Sequence, residues 1–229
     1  MLTKEQILAM CDHTVLRPEA EFSEIVDNCR LAQRFNCASM CLAPSFVRPV
    51  REMFGDSLRI TTVVGFPNGY NDTATKAFEA LHLINEGADE IDAVINIGWA
   101  REGNYKDLAE ELRRLRRQTQ DHVLKIIVET CKLPIPVLRE VCRLVSDSGA
   151  DFIKTSTGFA ERGASVDDIR IMREECDPRV KIKAAGGIRT FEDAQALIDA
   201  GADRLGTSRL VSLMLPDITL KPENEKKKR

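Results

Sequence analysis

A closed (β/α)8 barrel of the TIM type, in one domain, is the fold the sequence predicts, and three observations predict it. Short β-branched apolar runs recur at roughly thirty-residue intervals, each followed by a charged segment of helical period. No break in composition divides the 229 residues, a length at which a parallel barrel forms as a single unit. No GxGxxG follows the first run, which removes the usual dinucleotide reading of an open, doubly wound sheet.

In chain order, the runs place strands at 11–16, 38–42, 60–64, 90–97, 123–129, 152–154, 180–184 and 204–206. Helical periodicity places helices at 23–35, 45–53, 73–86, 106–118, 136–148, 166–175 and 191–200, with a short one after Ser208. Pro44, Pro134 and Pro136 stand where helices begin, a position that needs no backbone donor. Gly87, Gly149 and Gly201 each end a helix within a Gly-Ala-Asp triplet just before the next strand, a weak internal repeat that reads as an efficient helix C-cap. The barrel domain is assigned to 1–215, and the charged tail at 216–229, which has little to bury, is expected to be disordered.

Composition narrows the function. The chain is 43% hydrophobic and 30% charged with a formal net charge of −3, a balance that argues against a nucleic-acid partner. The basic stretch RRLRR is interleaved with acids and leucines at helical spacing and reads as a solvated outer helix face. Seven cysteines, Cys11, Cys29, Cys37, Cys41, Cys131, Cys142 and Cys176, show no CxxC spacing and read as reduced thiols of a cytoplasmic protein. A start with acidic residues and no apolar run of about eighteen residues predict neither a signal peptide nor a membrane partner. His13, His82 and His122 are scattered, with no HxH or HExxH spacing, so no metal and no cofactor is expected.

In a barrel of this kind chemistry sits at the C-terminal ends of the strands. Lys154 and Lys183 end the sixth and seventh strands, and burial beside a second ammonium is expected to lower a lysine pKa toward the neutral amine that Schiff-base chemistry needs. Asp92 lies in an apolar run, EIDAVINIG, where a carboxylate needs a cation or a proton-transfer role; Glu90 and Asn96 share its parity and are weaker candidates. Lys125 and Lys181 are read as structural. Gly186, Gly187 and Arg189 after strand seven, and Gly206 with Ser208 after strand eight, occupy loops suited to a phosphate. Asp12, Thr14 and Cys41 stand in the first two strands and say little alone.

The motifs DHTVLRP, GFPNG, EIDAVINIG, KIIVET, GADFIKTSTGF, KAAGGIRT and GTS follow one another in the order seen in deoxyribose-phosphate aldolases, and the chain resembles that family from about Asp12 to Ser208. The resemblance implies reversible, metal-free cleavage of 2-deoxy-D-ribose 5-phosphate into D-glyceraldehyde 3-phosphate and acetaldehyde. It implies that Lys183 forms the Schiff base, that Lys154 lowers its pKa, and that Asp92 works in the proton relay by holding a water. It further implies that Asp12 and Thr14 orient substrate hydroxyls, that Cys41 lines the pocket, and that Thr157, Gly158, Gly186, Gly187, Arg189, Gly206 and Ser208 surround the phosphate. Homodimers are common in the family, so a homodimer is the assembly to expect. The chain departs from some members in carrying Phe159 where they have a lysine and in ending on Lys-Lys-Lys-Arg rather than a tyrosine. Two other readings remain open: another phosphosugar aldolase or isomerase of the same fold, and a phosphosugar-binding barrel without catalysis.

Overall fold

The structure, a computed structural model, describes residues 1–215. Eight parallel strands close into a barrel in simple sequential order: β1 (Cys11–Val15), β2 (Ser39–Leu42), β3 (Ile60–Val64), β4 (Glu90–Val94), β5 (Val123–Ile127), β6 (Phe152–Lys154), β7 (Lys181–Ala185) and β8 (Arg204–Thr207), with β8 pairing back to β1. The helices are α1 (Lys4–Leu8), α2 (Phe22–Arg34), α3 (Val47–Phe54), α4 (Thr73–Asn85), α5 (Ile97–Glu102), α6 (Tyr105–Thr119), α7 (Ile135–Ser148), α8 (Val166–Glu175) and α9 (Phe191–Asp199). Among the described residues no helix is long and apolar enough to cross a membrane. The expected tail at 216–229 lies outside the described residues.

Several boundaries differ from the sequence expectation, three of them at β4, at β5 and after Ser208. The fourth strand stops at Val94 because Asn96 caps α5, accepting the Trp99 N–H at 3.1 Å, although the apolar run continues through it. The fifth strand stops at Ile127, and Glu129 turns the chain at φ 53°. Among the described residues after Ser208, the expected short helix is a 3-10 turn at Ser212–Met214.

Strand alternation divides the core in two. Outward-facing residues such as Met40, Ile60, Ile91, Leu124, Ile126, Ile153, Ile182 and Leu205 are buried against the helices and form an annular apolar core. Inward-facing residues, followed through the strand register, stack in four layers drawn from alternate strands. From the bottom these hold Ser39, Glu90, Phe152 and Arg204; then Asp12, Thr61, Lys125 and Lys183; then Cys41, Asp92, Lys154 and Gly206; then Thr14, Val63, Ile127 and Ala185. Barrel interiors are ordinarily filled by branched apolar residues. Here charge fills the middle.

The Gly-Ala-Asp repeat is more than a helix cap. Gly87, Gly149 and Gly201 take φ of 107°, 79° and 117° to leave their helices. Each following aspartate then accepts an N–H at the start of the preceding strand: Asp89 from Ile60 at 2.7 Å, Asp151 from Leu124 at 2.8 Å and Asp203 from Ile182 at 2.8 Å. An arginine from the helix that precedes the strand pair completes each clamp, with Arg51 of α3 on Asp89 at 2.5 Å, Arg116 of α6 on Asp151 at 2.9 Å and Arg173 of α8 on Asp203 at 2.5 Å. The same arginines also donate to the Gly87, Gly149 and Gly201 carbonyls. The clamps all sit at the N-terminal end of the barrel, away from the expected chemistry.

Asp151→Ala leaves the buried Leu124 amide without its acceptor and is expected to lower unfolding free energy by about 1–3 kcal/mol. Urea denaturation followed by circular dichroism measures the loss, and turnover at 25 °C should stay unchanged because the clamp faces the opposite end from the pocket.

Candidate active site

Seven charged side chains meet inside the barrel. Asp92 is the hub: Lys154 and Lys183 both donate to its Oδ2 at 2.7 Å, and Lys125 donates to its Oδ1 at 2.8 Å. Both ammoniums on Oδ2 therefore lie within twice that distance of each other. Lys183 also donates to Asp12, whose other oxygen takes Arg204 at 2.5 Å and the Ser39 hydroxyl at 2.8 Å. Lys125 reaches Glu90 at 2.5 Å, and Arg204 reaches the same carboxylate at 3.2 Å. Six of the seven are essentially sealed from solvent, and the Arg204 side chain keeps 13% exposure.

Burial works against every one of these charges, and their partners decide the outcome. For Asp12 burial is outweighed by Lys183, Lys125 and Arg204, and for Asp92 by Lys125, Lys154 and Lys183, so both carboxyls fall far below the ordinary range. Burial would discharge Lys183, but Asp12 and then Asp92 overcome it and raise its pKa. Lys154 has the opposite fate: burial, reinforced by the Lys183 charge, outweighs Asp92 and lowers its pKa. The neighbouring ammonium is thus felt at Lys154, while the net shift at Lys183 is upward. The physical reason is Asp12, which the strand pattern alone does not bring to Lys183.

Above the cluster opens a cavity of about 390 Å³ at the C-terminal end of the strands. Thr14, Lys154, Thr157, Gly158, Gly186, Gly187, Gly206 and Ser208 line it. Lys183 lies two layers below Ala185, beneath the floor, and Asp12, Asp92 and Cys41 are likewise buried under it rather than in its lining. Arg189 is exposed and outside the lining, and its backbone N–H is engaged by Asp193 at 3.0 Å. Lys181 is exposed at the lower rim and stands over the Phe152 ring.

Gly206 is where a side chain is excluded by the chemistry below it. A Cβ there would come within 3.1 Å of Lys183 Cε and 3.0 Å of Ala185 Cβ, so its absence lets the lysine run up the barrel axis. Gly186 and Gly187 take φ of 80° and 77°, and a Cβ on Gly186 would press on Gly163 Cα at 2.9 Å. Those contacts let the loop after β6 and the loop after β7 close over one corner of the cavity. Thr157 is fixed from outside by Glu129, which accepts both its hydroxyl and its N–H.

The family model described as DeoC/LacD family aldolase matches residues 6–210. The chain belongs to the DeoC/LacD aldolase family. It is 46% identical over 220 residues to the deoxyribose-phosphate aldolase of Streptococcus pyogenes serotype M5 (strain Manfredo), covering 96% of this chain and 98% of the relative. Among solved structures, an aldolase designated QR15 superimposes with a TM-score of 0.86 at 35% identity, covering 90% of this chain and 93% of its own. A deoxyribose phosphate aldolase from Aeropyrum pernix, described as a unique tetramer, gives 0.85 at 26% identity over 91% and 89% of the two chains.

Several groups of the aldolase site escaped the sequence reading. Arg204 was visible as an inward residue two positions before Gly206, and parity alone would have flagged it. Lys125, read as structural, and Glu90, read as a weaker candidate, both prove to belong to the charged cluster. Arg17, Glu24 and Asn28 enter the cavity from the loop after β1 and from α2, for which the strand pattern gives no signal. Among the described residues, no group of three or more His, Cys, Asp or Glu side chains is placed to hold a metal ion.

The depressed Asp92 and Asp12 carboxyls stabilise the fold above the unfolded carboxylate pKa of about 3.9, and that stabilisation drains away as pH falls toward their folded values. Asp92→Asn removes one such group. Its unfolding free energy should therefore change less steeply between pH 4 and 2 than that of wild type, by about 1.4 kcal/mol per pH unit; denaturant titrations at stepped pH read the slope directly.

Proposed function

We propose that this aldolase works through a Schiff base on Lys183 and reversibly cleaves 2-deoxy-D-ribose 5-phosphate into D-glyceraldehyde 3-phosphate and acetaldehyde. The observation that carries the reading is the convergence of Lys154 and Lys183 on one oxygen of Asp92, directly beneath a cavity walled by glycine-rich loops. The similarity to a deoxyribose-phosphate aldolase over nearly the whole chain supports the substrate.

The cluster holds four cations, Lys125, Lys154, Lys183 and Arg204, against three carboxylates, Asp12, Glu90 and Asp92. Burial favours giving up the one unbalanced proton, and the lysine with the lowered pKa is Lys154. A neutral Lys154 then accepts a proton from Lys183 across the Asp92 oxygen that both contact, and Lys183 becomes nucleophilic. The amine adds to the C1 aldehyde of the open-chain sugar, Lys154 returns its proton to the departing hydroxyl, and water leaves to give the iminium. The C3 hydroxyl proton passes through a water to Lys154, the C2–C3 bond breaks, and its electrons move into the iminium to form an enamine. Glyceraldehyde 3-phosphate departs. Lys154 protonates the enamine at C2, and hydrolysis frees acetaldehyde and Lys183.

In this mechanism Asp92 is too acidic to store the proton. It holds both lysines on one oxygen and offers the path between them. Thr14, Gly158, Gly186, Gly187 and Ser208 line the cavity, which supports a reading in which Thr14 contacts the sugar and the glycine-loop backbone N–H groups bind the phosphate. The proposed place of action is the cytoplasm, supported by seven free cysteines, and the proposed assembly is a homodimer, supported by exposed Phe78 and Leu81 on one face of α4.

Incubation with acetaldehyde and sodium borohydride should leave an ethyl group on Lys183, located by peptide mass spectrometry, and an adduct confined to other lysines would overturn the assignment. Lys183→Leu should abolish turnover, and Lys154→Met should lower kcat by about 10²-fold or more while the protein stays folded.

Gly206→Ala tests the geometry separately. The added methyl should push Lys183 off Asp92 and cut the rate of imine trapping at least about tenfold, a cost of 1.4 kcal/mol on the barrier, with a far smaller change in melting temperature than loss of a buried charge would bring.

A further inference from the structure

A sugar phosphate brings a dianion into the cavity, and the glycine loops meet it with backbone dipoles alone. Among the described residues lining the cavity the cations are two. Lys154 is committed to Asp92 at the floor, and Arg17 stands at the rim on the loop after β1. The two side chains that would otherwise supply charge do not. Phe159 lines the cavity as an apolar ring set edge-on against Phe66, and Arg189 is exposed outside the lining.

Arg17 is already occupied. Its guanidinium donates to Glu24, in the first turn of α2, and Glu19 lies 3.9 Å away. Glu24 lines the same cavity, so the carboxylate faces the space the phosphate would fill. The pair is half in solvent, with side-chain exposures of 45% and 34%, and an ion pair of that exposure is weakly held. A guanidinium fork accepts a phosphate in the same two-pronged geometry as a carboxylate, and the dianion offers more charge.

We propose that Arg17 sets the preference for phosphorylated over unphosphorylated substrate, exchanging Glu24 for the substrate phosphate when the cavity fills. The inference rests on the sugar-phosphate reading above. Glu24 acts as a competitor, occupying the guanidinium until a stronger anion arrives. Arg17 is a specificity residue and takes no part in the proton transfers beneath.

The test compares 2-deoxyribose 5-phosphate with 2-deoxyribose as substrates for the full chain and for Arg17→Met, Arg17→Lys and Glu24→Gln. The ratio of kcat/KM for the phosphorylated sugar to that for the free sugar should fall by about tenfold or more in Arg17→Met, as expected for loss of a charged hydrogen bond. The fall should come from KM for the phosphorylated sugar. Arg17→Lys should recover part of the ratio, and Glu24→Gln should raise it. Inhibition by inorganic phosphate should weaken in Arg17→Met in parallel. An unchanged ratio in a folded Arg17→Met, or equal losses on both sugars, overturns the proposal while leaving the aldolase reading intact. Wild-type protein that turns over neither sugar and traps no imine removes both.

Discussion

The constraint on which the structure rests is that charges enclosed in a barrel must satisfy one another. Moving an ion from water into a protein interior costs several kcal/mol even after relaxation, so Asp12, Glu90, Asp92, Lys125, Lys154, Lys183 and Arg204 hold only as a connected set. Each lies on a different strand except Glu90 and Asp92, which both come from β4. The register of six strands therefore has to be right at once for the cluster to close. A slip of one residue in any of them would turn its charge outward into the apolar annulus. The ionic centre is consequently also a lock on strand register, and the surrounding hydrophobic ring supplies the stability that keeps it closed.

Catalytic character and structural character are inseparable in this set, but they are graded by depth. Arg204 and Glu90 in the lowest layer anchor Asp12 and Lys125 from below. Lys183 stands between the two aspartates in the middle. Lys154, at the cavity floor, is the lysine of the set whose pKa burial lowers on balance, and it is the one that lines the cavity. Protonation is thus most easily changed where the barrel opens and most firmly held where it is closed.

Much of this was legible in the sequence, for identifiable reasons. The strand and helix positions follow from a period that each element carries within itself. Lys154, Lys183 and Asp92 stood out because a charge inside an apolar run advertises its own cost. What the sequence concealed depends on relations between distant segments. That Asp12 and Lys183 share a hydrogen bond across 171 positions follows only from closing β8 onto β1. The raised pKa of Lys183 was hidden with it, because the neighbouring lysine is evident from adjacent strands and the opposing aspartate is not. The helix α5 was missed because the apolar run continues through its capping Asn96, and Gly98 falls inside the helix rather than at its start.

The aspartate clamps carry a consequence for how the chain can be divided. They join β3 to β4, β5 to β6 and β7 to β8, each with an arginine from the helix that precedes the pair. At the corresponding turn before β2 the chain has Asn36, at φ 51°, then Cys37 and Ala38, so the bend is kept but the carboxylate is missing. In physical terms the barrel is four strand-helix-strand modules, three of them riveted at the base. New termini opened before α3, α6 or α8 leave every rivet, arginine included, inside one contiguous piece, whereas cuts before β4, β6 or β8 each sever one. Circular permutants and split-chain reassembly should follow that two-strand grain.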